Sequence, residues 1–581
     1  MTSVLGISAF YHDSAACLII DGKIIAAAQE ERFTRIKHDS NYPKNAVNFV
    51  LNKSNLRLSD IDHIIFYEKP FLKFERLLET YVALAPKGFI QFIKAMPSWL
   101  KYKLFQKKEL INYFKEQDKN FNDDNKIFFL EHHLSHAASA FYPSPFDEAI
   151  VLTADGVGEW ATTTVAIGKG KNLEIKKEIY FPHSLGLLYS AFTYYAGFKV
   201  NGGEYKLMGL APYGEPKYVN LIKDNLIDIK EDGSFRLNLD YFDYATGLKM
   251  TNSKFNSLFG REERIKNDKN IDKFYMDIAS SIQNVTEEII IKITKSLREE
   301  YSINNLCLAG GVALNCVANG KILKQNFFEN IWVQPAAGDA GGSLGAALAF
   351  WHLEKGNERF LSKDDNMMGA FLGPEYSNIN IEQTLKEIGA NFKSLNQEEL
   401  LNYTAEKIDE GKAIGWFQGK MEFGPRALGN RSIIADARSP DMQKKLNLKV
   451  KFRESFRPFA PAVLLENVND WFDLDCESPY MLLVSDVKKK IIPAVTHVDN
   501  SARVQTVSKK NGIFYELIKK FKEKTDCPII VNTSFNVRGE PPVNTPVDAF
   551  KCFMFTDLDV LVIGNCILEK EKQINFGLED G

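Results

Sequence analysis

An internal repeat constrains the fold more than any other feature of the sequence. The stretch "VLGISAFYHDSAACLIIDG" at 4–22 aligns without gaps on "VLTADGVGEWATTTVAIGK" at 151–169. Each copy reads as a buried strand, a polar turn, a stretch of small residues and a second strand. Later strands alternate with helices, which indicates βαβ crossovers and a largely parallel core sheet. The sequence therefore predicts a duplicated α/β unit with a cleft between its copies.

The chain is longer than one hydrophobic core normally supports, because it has 581 residues. We predict a first unit over 1–355, a linker and the start of a second unit over 356–395, a second α/β unit over 396–570 and a tail over 571–581. A net charge of -3 gives no electrostatic case for nucleic acid as a partner. The pattern shows no leader peptide, no long apolar run and no C-x-x-C spacing, so we expect a reduced, cytoplasmic protein without a membrane partner.

Three of the nine histidines lie in "EHHLSHAASAFY" at 131–142. His132 and His136 are four residues apart and would share one face of a helix. A zinc peptidase would need a glutamate directly after the first histidine, and His133 stands there instead. Helix packing or capping explains the spacing equally well, and His133 replaces His132 on that face if the helix begins differently.

Two aspartates extend this candidate set. Asp155 and Asp339 each stand where a predicted strand gives way to a glycine-rich turn, so they could converge with His132 and His136 at one cleft. Two imidazoles and two carboxylates suit iron, zinc or manganese better than calcium or magnesium.

Glycine-rich turns recur in the first unit, at "TADGVGEW", "NGGEYKLMGLAPYG", "CLAGGVALN" and "AAGDAGGSLG". Backbone amides at such turns hold phosphate oxygens, and glycine lets a nucleotide approach closely. One such motif is usually a simple turn, whereas four at strand ends beside candidate metal ligands predict a nucleotide site. Its candidate residues are Gly156, Gly203, Gly310, Gly311 and Asn315.

His12 lies in the turn after the first strand, the counterpart of the Asp155 loop in the repeat. A histidine there is a candidate general base, with a solvated turn residue as the equal alternative. Lys37 belongs to a run of mixed charge, "EERFTRIKHD", which by itself is typical of a solvated face.

The second unit concentrates basic residues beside glycine, proline and small polar residues. Arginine forks next to exposed amides bind several phosphate oxygens at once, so this pattern favours a polyanionic small substrate over ordinary surface charge. The basic residues are Lys420, Arg426, Arg431, Lys449, Lys451, Arg453, Arg457, Arg503 and Arg538.

One stretch of the first unit, "ERLLETYVALAPKGFIQFIKAMPSWLKYKLFQKKEL" at 75–110, mixes aromatic residues with lysines. Plain amphipathic packing is the default expectation for such a pattern. The alternatives are that its helices form a wall of an acceptor pocket or a dimer face.

Taken together, these motifs resemble the O-carbamoyltransferase family of the NodU/CmcH type, which includes nodulation-factor, cephalosporin and aminoglycoside carbamoyltransferases. The resemblance rests on "FYHDSAA", "EERFTRIKHD", "HHLSHAASAF", "GGEYKLMGLAPYG", "GGVALN", "GDAGGSLGAA", "FGPRALGNRSI" and "NTSFNVRGEP", which stand in family order. It implies an N-terminal domain of the actin/Hsp70/sugar-kinase type and a C-terminal YrdC-like α/β domain.

The resemblance also implies roles for single residues. His132, His136, Asp155 and Asp339 match ligands of ferrous iron or another divalent transition metal. His12 matches the transfer base, and Lys37 a residue near the carbamoyl group. The residues matching the site for carbamoyl phosphate and ATP are Lys420, Arg426, Arg431, Lys449, Arg503, Ser534 and Asn536.

The implied reaction has two steps. Carbamoyl phosphate and ATP, with magnesium, give carbamoyl-adenylate, and the carbamoyl group then passes to a hydroxyl of a small-molecule or glycan acceptor. A homodimer is left open. The alternatives are a threonylcarbamoyl-type tRNA modification enzyme, disfavoured by the lack of basic excess, and a kinase or ATPase of the same superfamily, which would not need the basic second unit.

Overall fold

The computed structural model describes residues 1–98, 105–265 and 271–573, and it divides the chain into two compact units. Unit 1 comprises Met1–Glu30 and His38–Met367, and unit 2 comprises Glu31–Lys37 and the chain from Met368 onward. The predicted tail lies outside the described residues from 574 onward. No helix in the described ranges is long and apolar enough to cross a lipid bilayer.

Unit 1 contains two five-stranded sheets with the same topology. In the first, the order is β3-β2-β1-β4-β5, and in the second it is β8-β7-β6-β11-β12. The strands of the first are β1 (Ser3–Ser8), β2 (Ala15–Ile20), β3 (Lys23–Gln29), β4 (His63–Phe66) and β5 (Ile127–Phe129). The second half supplies β6 (Glu148–Ala154), β7 (Ala161–Lys169), β8 (Asn172–Tyr180), a separate hairpin of β9 (Ile227–Ile229) and β10 (Phe235–Leu237), then β11 (Asn305–Ala309) and β12 (Asn330–Val333).

Strand directions repeat as well. The first strand of each half pairs antiparallel with the second, the second antiparallel with the third, and the first parallel with the fourth. The hairpin β1–β2 and its counterpart β6–β7 are the two sequence copies at 4–22 and 151–169. The predicted duplicated α/β unit of the actin/Hsp70/sugar-kinase type is therefore confirmed.

Helices connect and cover these strands. Those between β3 and β6 are α1 (Glu31–Thr34), α2 (Lys44–Asn52), α3 (Pro70–Ala83), α4 (Phe89–Ser98), α5 (Gln106–Gln117) and α6 (His132–Phe141). Those after β8 are α7 (Leu185–Tyr195), α8 (Glu204–Leu210), α9 (Val219–Asn225), α10 (Ser253–Phe259), α11 (Lys273–Tyr301), α12 (Cys316–Lys324) and α13 (Asp339–Ala349).

Small residues let α13 lie in the centre of unit 1. Its sequence "DAGGSLGAALA" is buried throughout, and it packs against both α6 and β1. A side chain at Gly345 would collide with the carbonyl oxygen of Ser135 on α6, and one at Gly6 on β1 would collide with the carbonyl oxygen of Ser343. The lack of side chains at these contacts lets α13 lie close to both α6 and β1.

Unit 2 is built on a mixed nine-stranded sheet in the order β13-β21-β20-β14-β15-β19-β16-β18-β17, as expected of the YrdC-like α/β unit. Its strands are β13 (Lys393–Ser394), β14 (Ile414–Phe417), β15 (Arg431–Asp436), β16 (Ala460–Leu464), β17 (Leu483–Asp486), β18 (Ser501–Val507), β19 (Ile529–Ser534), β20 (Val560–Ile563) and β21 (Cys566–Glu569). Its helices are α14 (Asn378–Glu387), α15 (Gln397–Asp409), α16 (Met442–Lys445), α17 (Val468–Trp471), α18 (Ile513–Thr525) and α19 (Pro546–Met554), besides α1.

The short segment Glu31–Lys37 is far in sequence from the rest of unit 2 but is bonded into it. Arg32 donates to the carbonyl oxygen of Gly424 at 2.7 Å, and Arg35 donates to those of Pro541 at 2.8 Å and Pro542 at 2.5 Å. Lys37 therefore belongs to unit 2, although its position in the chain falls within the predicted first unit.

Candidate functional site

The four predicted metal-ligand side chains of unit 1 lie together. The Nε2 atoms of His132 and His136 are 3.1 Å apart, and Nε2 of His132 is 3.2 Å from Oδ2 of Asp155. Nε2 of His136 is 3.5 Å from Oδ1 of Asp339. One donor atom from each side chain lies within 4.8 Å of all the others. We call these four residues the His–Asp cluster.

Strand ends explain why the cluster assembles. Asp155 directly follows β6, Asp339 opens α13 after β12, and the histidines share one face of α6. The carboxyl ends of parallel strands meet at one edge of a sheet, where crevices for ligands form. His12 follows β1 and Gly310 follows β11, so the same rule brings both to this edge.

His133 is excluded from the cluster. Its ring is buried, and its Nδ1 atom lies 3.3 Å from the hydroxyl of Thr164. Burial, together with the nearby His132 and His136, holds the pKa of His133 well below its usual value. The alternative in which His133 replaces His132 therefore does not match the geometry of α6.

Glu159 holds the beginning of α6 in place. Both of its carboxylate oxygens lie 3.1 Å from the backbone nitrogen of His132, and Oε1 also accepts the N–H of Lys69 at 2.7 Å. An acid at a helix N-terminus satisfies unpaired amides and stabilises the helix dipole. We did not predict this residue from the sequence, although the repeat places it opposite His12.

His12 lies beside the cluster. Its Nδ1 is 3.0 Å from Oδ2 of Asp13, its Nε2 is 3.7 Å from Oδ2 of Asp339, and Asp13 also bonds His38 at 2.8 Å. Burial disfavours the charged imidazole, but the charges of Asp339 and Asp13 outweigh it and raise the pKa of His12 to about 9.

The cluster favours positive charge. Burial opposes protonation of His132, but its hydrogen bond to Asp155 and the charge of Asp339 raise its pKa to about 9. Burial also opposes ionisation of Asp155, yet His132 and His136 hold the pKa of that carboxyl well below its usual value. The buried carboxylate of Asp339 and the partly exposed one of Asp155, facing two imidazole nitrogens, are a donor set that fits a divalent transition metal.

Of the predicted nucleotide residues, Gly310 and Gly311 lie nearest the cluster. The N–H of Gly311 donates to Oδ1 of Asp155 at 3.0 Å. Gly310 has a φ of +84°, and a side chain there would strike the backbone of Ala154, so only glycine fits. Gly156 accepts a hydrogen bond from the Ser184 hydroxyl at 2.7 Å.

The other two nucleotide candidates have structural roles in unit 1. Asn315 caps α12 by accepting the N–H of Ala318 at 3.1 Å, and its amide also pairs with that of Gln283. Gly203 precedes α8. A role of either residue in nucleotide binding stays a prediction.

Polar residues after β4 line the same edge and were missed from the sequence. The Tyr67 hydroxyl lies 3.5 Å from Oδ2 of Asp339, and Glu68 pairs with Lys73 at 2.7 Å. Arg76 on α3 donates to the carbonyl oxygen of Gly158 at 2.5 Å. The only sequence signal was their position just past a predicted strand.

A second cluster lies in unit 2, around Lys451, which is 3% exposed. Its ammonium donates to Oδ1 of Asn536 at 2.8 Å, to the carbonyl oxygen of Asn536 at 3.1 Å, and to the hydroxyl and carbonyl oxygens of Ser534. Burial lowers the pKa of Lys451 well below its usual value, and the nearby Arg453 adds to this. These three residues, Lys451, Ser534 and Asn536, form what we call the lysine cluster.

Arg431 stands at the strand next to this cluster, since Ser432 pairs with Ser534 in the sheet. Its guanidinium is fully buried over the ring of Phe417 and donates to backbone carbonyl oxygens of Gln418 and Pro374, among others. In this geometry Arg431 orders the loop before β15, and its predicted contact with substrate stays a prediction.

Glu422 orders the same loop and was also missed from the sequence. Its Oε1 accepts the N–H groups of Leu428, Asn430 and Arg431 at 2.8–3.2 Å.

The remaining predicted residues of the carbamoyl phosphate and ATP site differ in exposure. Lys420 and Lys449 are exposed, while Arg426 and Arg503 are half-buried.

The fold and the cluster define a class: a duplicated actin-like unit with a histidine–aspartate centre, joined in one chain to a second α/β unit. The family model "Carbamoyltransferase N-terminus" matches residues 3–348, and "Carbamoyltransferase C-terminus" matches 405–570. The chain belongs to the carbamoyltransferase family, and it is therefore a transferase enzyme. The predicted family is confirmed.

Relatives agree with this assignment. The chain is 38% identical to nodulation protein NolNO of Sinorhizobium fredii, covering 97% of this chain and 79% of that protein. It is 55% identical to an uncharacterized protein of Synechocystis, over 99% of this chain and 97% of that one.

Solved structures are far more distant. Full-length HypF in its phosphate- and nucleotide-bound form has a TM-score of 0.33 at 12% identity, covering 61% of this chain and 56% of that chain. Component A of (R)-2-hydroxyglutaryl-CoA dehydratase from Acidaminococcus fermentans has a TM-score of 0.31 at 15% identity, covering 60% and 98%. Likeness at this level does not bear on function.

Proposed function

We propose that this carbamoyltransferase uses carbamoyl phosphate and ATP to form carbamoyl-adenylate and transfers the carbamoyl group to a hydroxyl of a small-molecule or glycan acceptor. The observation that carries the proposal is the His–Asp cluster with His12 beside it, because these groups suit an acyl-type transfer to a hydroxyl.

The first step is assigned to unit 2. Water cleaves carbamoyl phosphate into carbamate and phosphate. A carbamate oxygen then bonds to the α-phosphorus of ATP, the bond from that phosphorus to the β-phosphate oxygen breaks, and pyrophosphate leaves. Lys451 supports this assignment, because all the oxygens around its ammonium are neutral and a phosphate would supply the missing negative charge. Ser534 and Asn536 would then orient Lys451 toward the anion.

The second step is assigned to unit 1. The acceptor oxygen bonds to the carbamoyl carbon, the bond from that carbon to the AMP oxygen breaks, and AMP and the O-carbamoyl ester leave. His12 accepts the hydroxyl proton at Nε2, while its Nδ1 is held by Asp13 at 3.0 Å. The glycine turn at Gly310 would let a phosphate of the adenylate approach the backbone closely, while the N–H of Gly311 holds Asp155.

His132, His136, Asp155 and Asp339 would hold a divalent cation, for which iron, zinc and manganese are the candidates. When bound, the ion supplies polarisation of an oxygen and offsets the carboxylate charge that raises the pKa of His12. Tyr67 and Glu159 position the cluster, through Asp339 and through the beginning of α6. We also expect magnesium to bind together with ATP in unit 2.

A pyrophosphate-release assay tests the first step. Release that requires both ATP and carbamoyl phosphate is expected, and a kinase or a non-catalytic scaffold would show none. The acceptor is found by incubating hydroxylated metabolites with both substrates and searching by mass spectrometry for the gain of one carbamoyl group. Transfer to tRNA instead of a small molecule would replace this acceptor class.

A further inference from the structure

Helix α4 presents an apolar face to solvent. Phe89, Ile90 and Ile93 are 64%, 65% and 54% exposed. Residues 89 and 93 are one helical turn apart, as are 90 and 94, so the three apolar side chains form one face with Lys94 at its border. The expectation of plain amphipathic packing is wrong for these residues.

The opposite side of α4 is the packed one. The ring of Phe92 lies 5.0 Å from that of Tyr81 on α3, in an edge-to-face contact. Val82, at the end of α3, is exposed like the outer face of α4. The helix is therefore held to unit 1 through Phe92, while Phe89, Ile90 and Ile93 on its other face are each more than half exposed.

Along the sequence, the charge around α4 has one sign. In space, Asp240 lies near Lys87, since Lys254 and, more weakly, Lys87 lower the pKa of its carboxyl. Between Glu79 and Glu109 the sequence has no acidic residue but has lysines at 87, 94, 101, 103, 107 and 108. Four of them, Lys87, Lys94, Lys107 and Lys108, lie in the described ranges and are exposed. Because the whole chain carries a net charge of -3, this positive charge is a local feature.

We propose that the α4 surface, defined as Lys87, Phe89, Ile90, Ile93 and Lys94, docks on an anionic lipid bilayer. A helix with Phe and Ile on one side and lysines at the border lies in the plane of the interface, with its apolar side chains below the headgroups. Lysines attract anionic lipids and extend along the apolar surface to reach them. This contact is peripheral, so it needs no membrane-spanning segment, and it replaces the expectation of no membrane partner.

Two other occupants fit less well. A symmetric dimer through this surface would bring Lys94 close to the same lysine of the second copy, and the sequence between Glu79 and Glu109 offers no acid to pair it. Nucleic acid would use the lysines, but contacts to phosphates leave the Phe–Ile face exposed. Only an anionic bilayer satisfies both the apolar side chains and the charge.

The surface is separate from the catalytic groups. None of the described contacts joins Phe89, Ile90 or Ile93 to a residue of the His–Asp cluster. The proposed docking is therefore independent of the proposed carbamoyl transfer.

Co-sedimentation of the full chain with vesicles tests the proposal. We expect binding to vesicles of phosphatidylcholine with one-third phosphatidylglycerol, little binding to phosphatidylcholine alone, and release by added salt. Ile93→Asp should weaken binding about tenfold or more, since a carboxylate would have to enter the interface. Lys87→Glu with Lys94→Glu should weaken it about 20-fold or more, from about fivefold per lysine.

Matched variants control for nonspecific effects. Phe360→Asp changes an apolar residue of unit 1 that is 80% exposed, and Lys321→Glu with Lys363→Glu reverses two exposed lysines elsewhere in unit 1. Both controls should bind anionic vesicles like the wild-type chain. All the substituted side chains are exposed, so we expect unchanged melting temperatures.

Three results would overturn the proposal. The first is no binding to anionic vesicles, or equal binding by Ile93→Asp. The second is a dimer in analytical ultracentrifugation that Ile93→Asp dissociates, which would give this face to a second copy. The third is tighter binding to a DNA duplex than to vesicles. Pyrophosphate release measured on the same samples reports separately on the proposed function and should not change in any variant.

Discussion

The two buried polar clusters of this chain have opposite charge arrangements. In unit 1, two carboxylates surround imidazoles and raise the pKa of His12 and His132 to about 9, so the site attracts a cation. In unit 2, the ammonium of Lys451 is surrounded by neutral oxygens and by arginines, and its pKa is far below the usual value, so the site attracts an anion. Each cluster therefore lacks the charge that its proposed ligand would bring.

The largest effect is expected when one carboxylate is removed from the His–Asp cluster of unit 1. With Asp339→Asn we expect carbamoyl transfer to fall by about a thousandfold, because the cluster loses a ligand and His12 loses one of its two charged neighbours. Pyrophosphate release should stay within about twofold of wild type. The measurement is parallel assay of ester formation and pyrophosphate.

The matched control for this variant is Asp224→Asn, an exposed acid of the same unit, which should leave both activities unchanged. Removing divalent transition metals with a chelator, in the presence of excess magnesium, should act like Asp339→Asn. If pyrophosphate release fell with transfer, the division of the two steps between the two clusters would be wrong.

Replacing the buried lysine of unit 2 should instead reduce pyrophosphate release, which reports on the first step. With Lys451→Met we expect pyrophosphate release to fall by about a hundredfold or more, since the anion loses its charged partner. Unfolding free energy should also fall by about 1–3 kcal/mol, because the oxygens of Ser534 and Asn536 lose their donor. Assay of release together with thermal unfolding checks both effects.

Lys449→Met is the control, because Lys449 is exposed and close in sequence. We expect it to have a smaller effect on release than Lys451→Met. Full activity of Lys451→Met would remove the basis for an anion site at the lysine cluster.

Much of unit 1 could be predicted because its signals are local. The repeat fixed the two hairpins, and the spacing of His132 and His136 on a helix placed them together. Asp155 and Asp339 could be added because strand ends meet at one edge of a sheet. These inferences use only periodicity and topology, and the geometry of the cluster agrees with them.

The residues that escaped prediction depend on contacts distant in sequence. Glu159 acts on α6 through a contact that the sequence does not show. Lys451 belongs to a run of basic residues, and the sequence does not show which of them is buried. Segment 31–37 is charged, as solvated segments are, yet Arg32 and Arg35 donate to carbonyl oxygens about 400 to 500 residues away. The exposure of α4 was likewise hidden, since an amphipathic pattern does not say whether a partner covers it.

A smaller effect is expected where a residue positions the unit 1 cluster without belonging to it. With Glu159→Gln we expect transfer to fall by about tenfold and unfolding free energy to fall by about 1 kcal/mol, because the beginning of α6 loses a charged acceptor. Pyrophosphate release should not change. Glu159→Asp, which keeps the charge, should recover part of the loss, and recovery of none would point to shape instead of charge.

The smallest effect on transfer is expected at the C-terminal end of α6. Arg359 donates to the carbonyl oxygens of Phe141 at 2.7 Å, Ser144 at 2.6 Å and Phe146 at 2.6 Å, and so holds the end of α6. With Arg359→Met we expect unfolding free energy to fall by about 2 kcal/mol and transfer to fall only about twofold, since the histidines lie in the first turns. Lys363→Met, in the same segment, should change neither. A loss of transfer as large as that of Glu159→Gln would show that both ends of α6, not its beginning alone, set the position of the histidine pair.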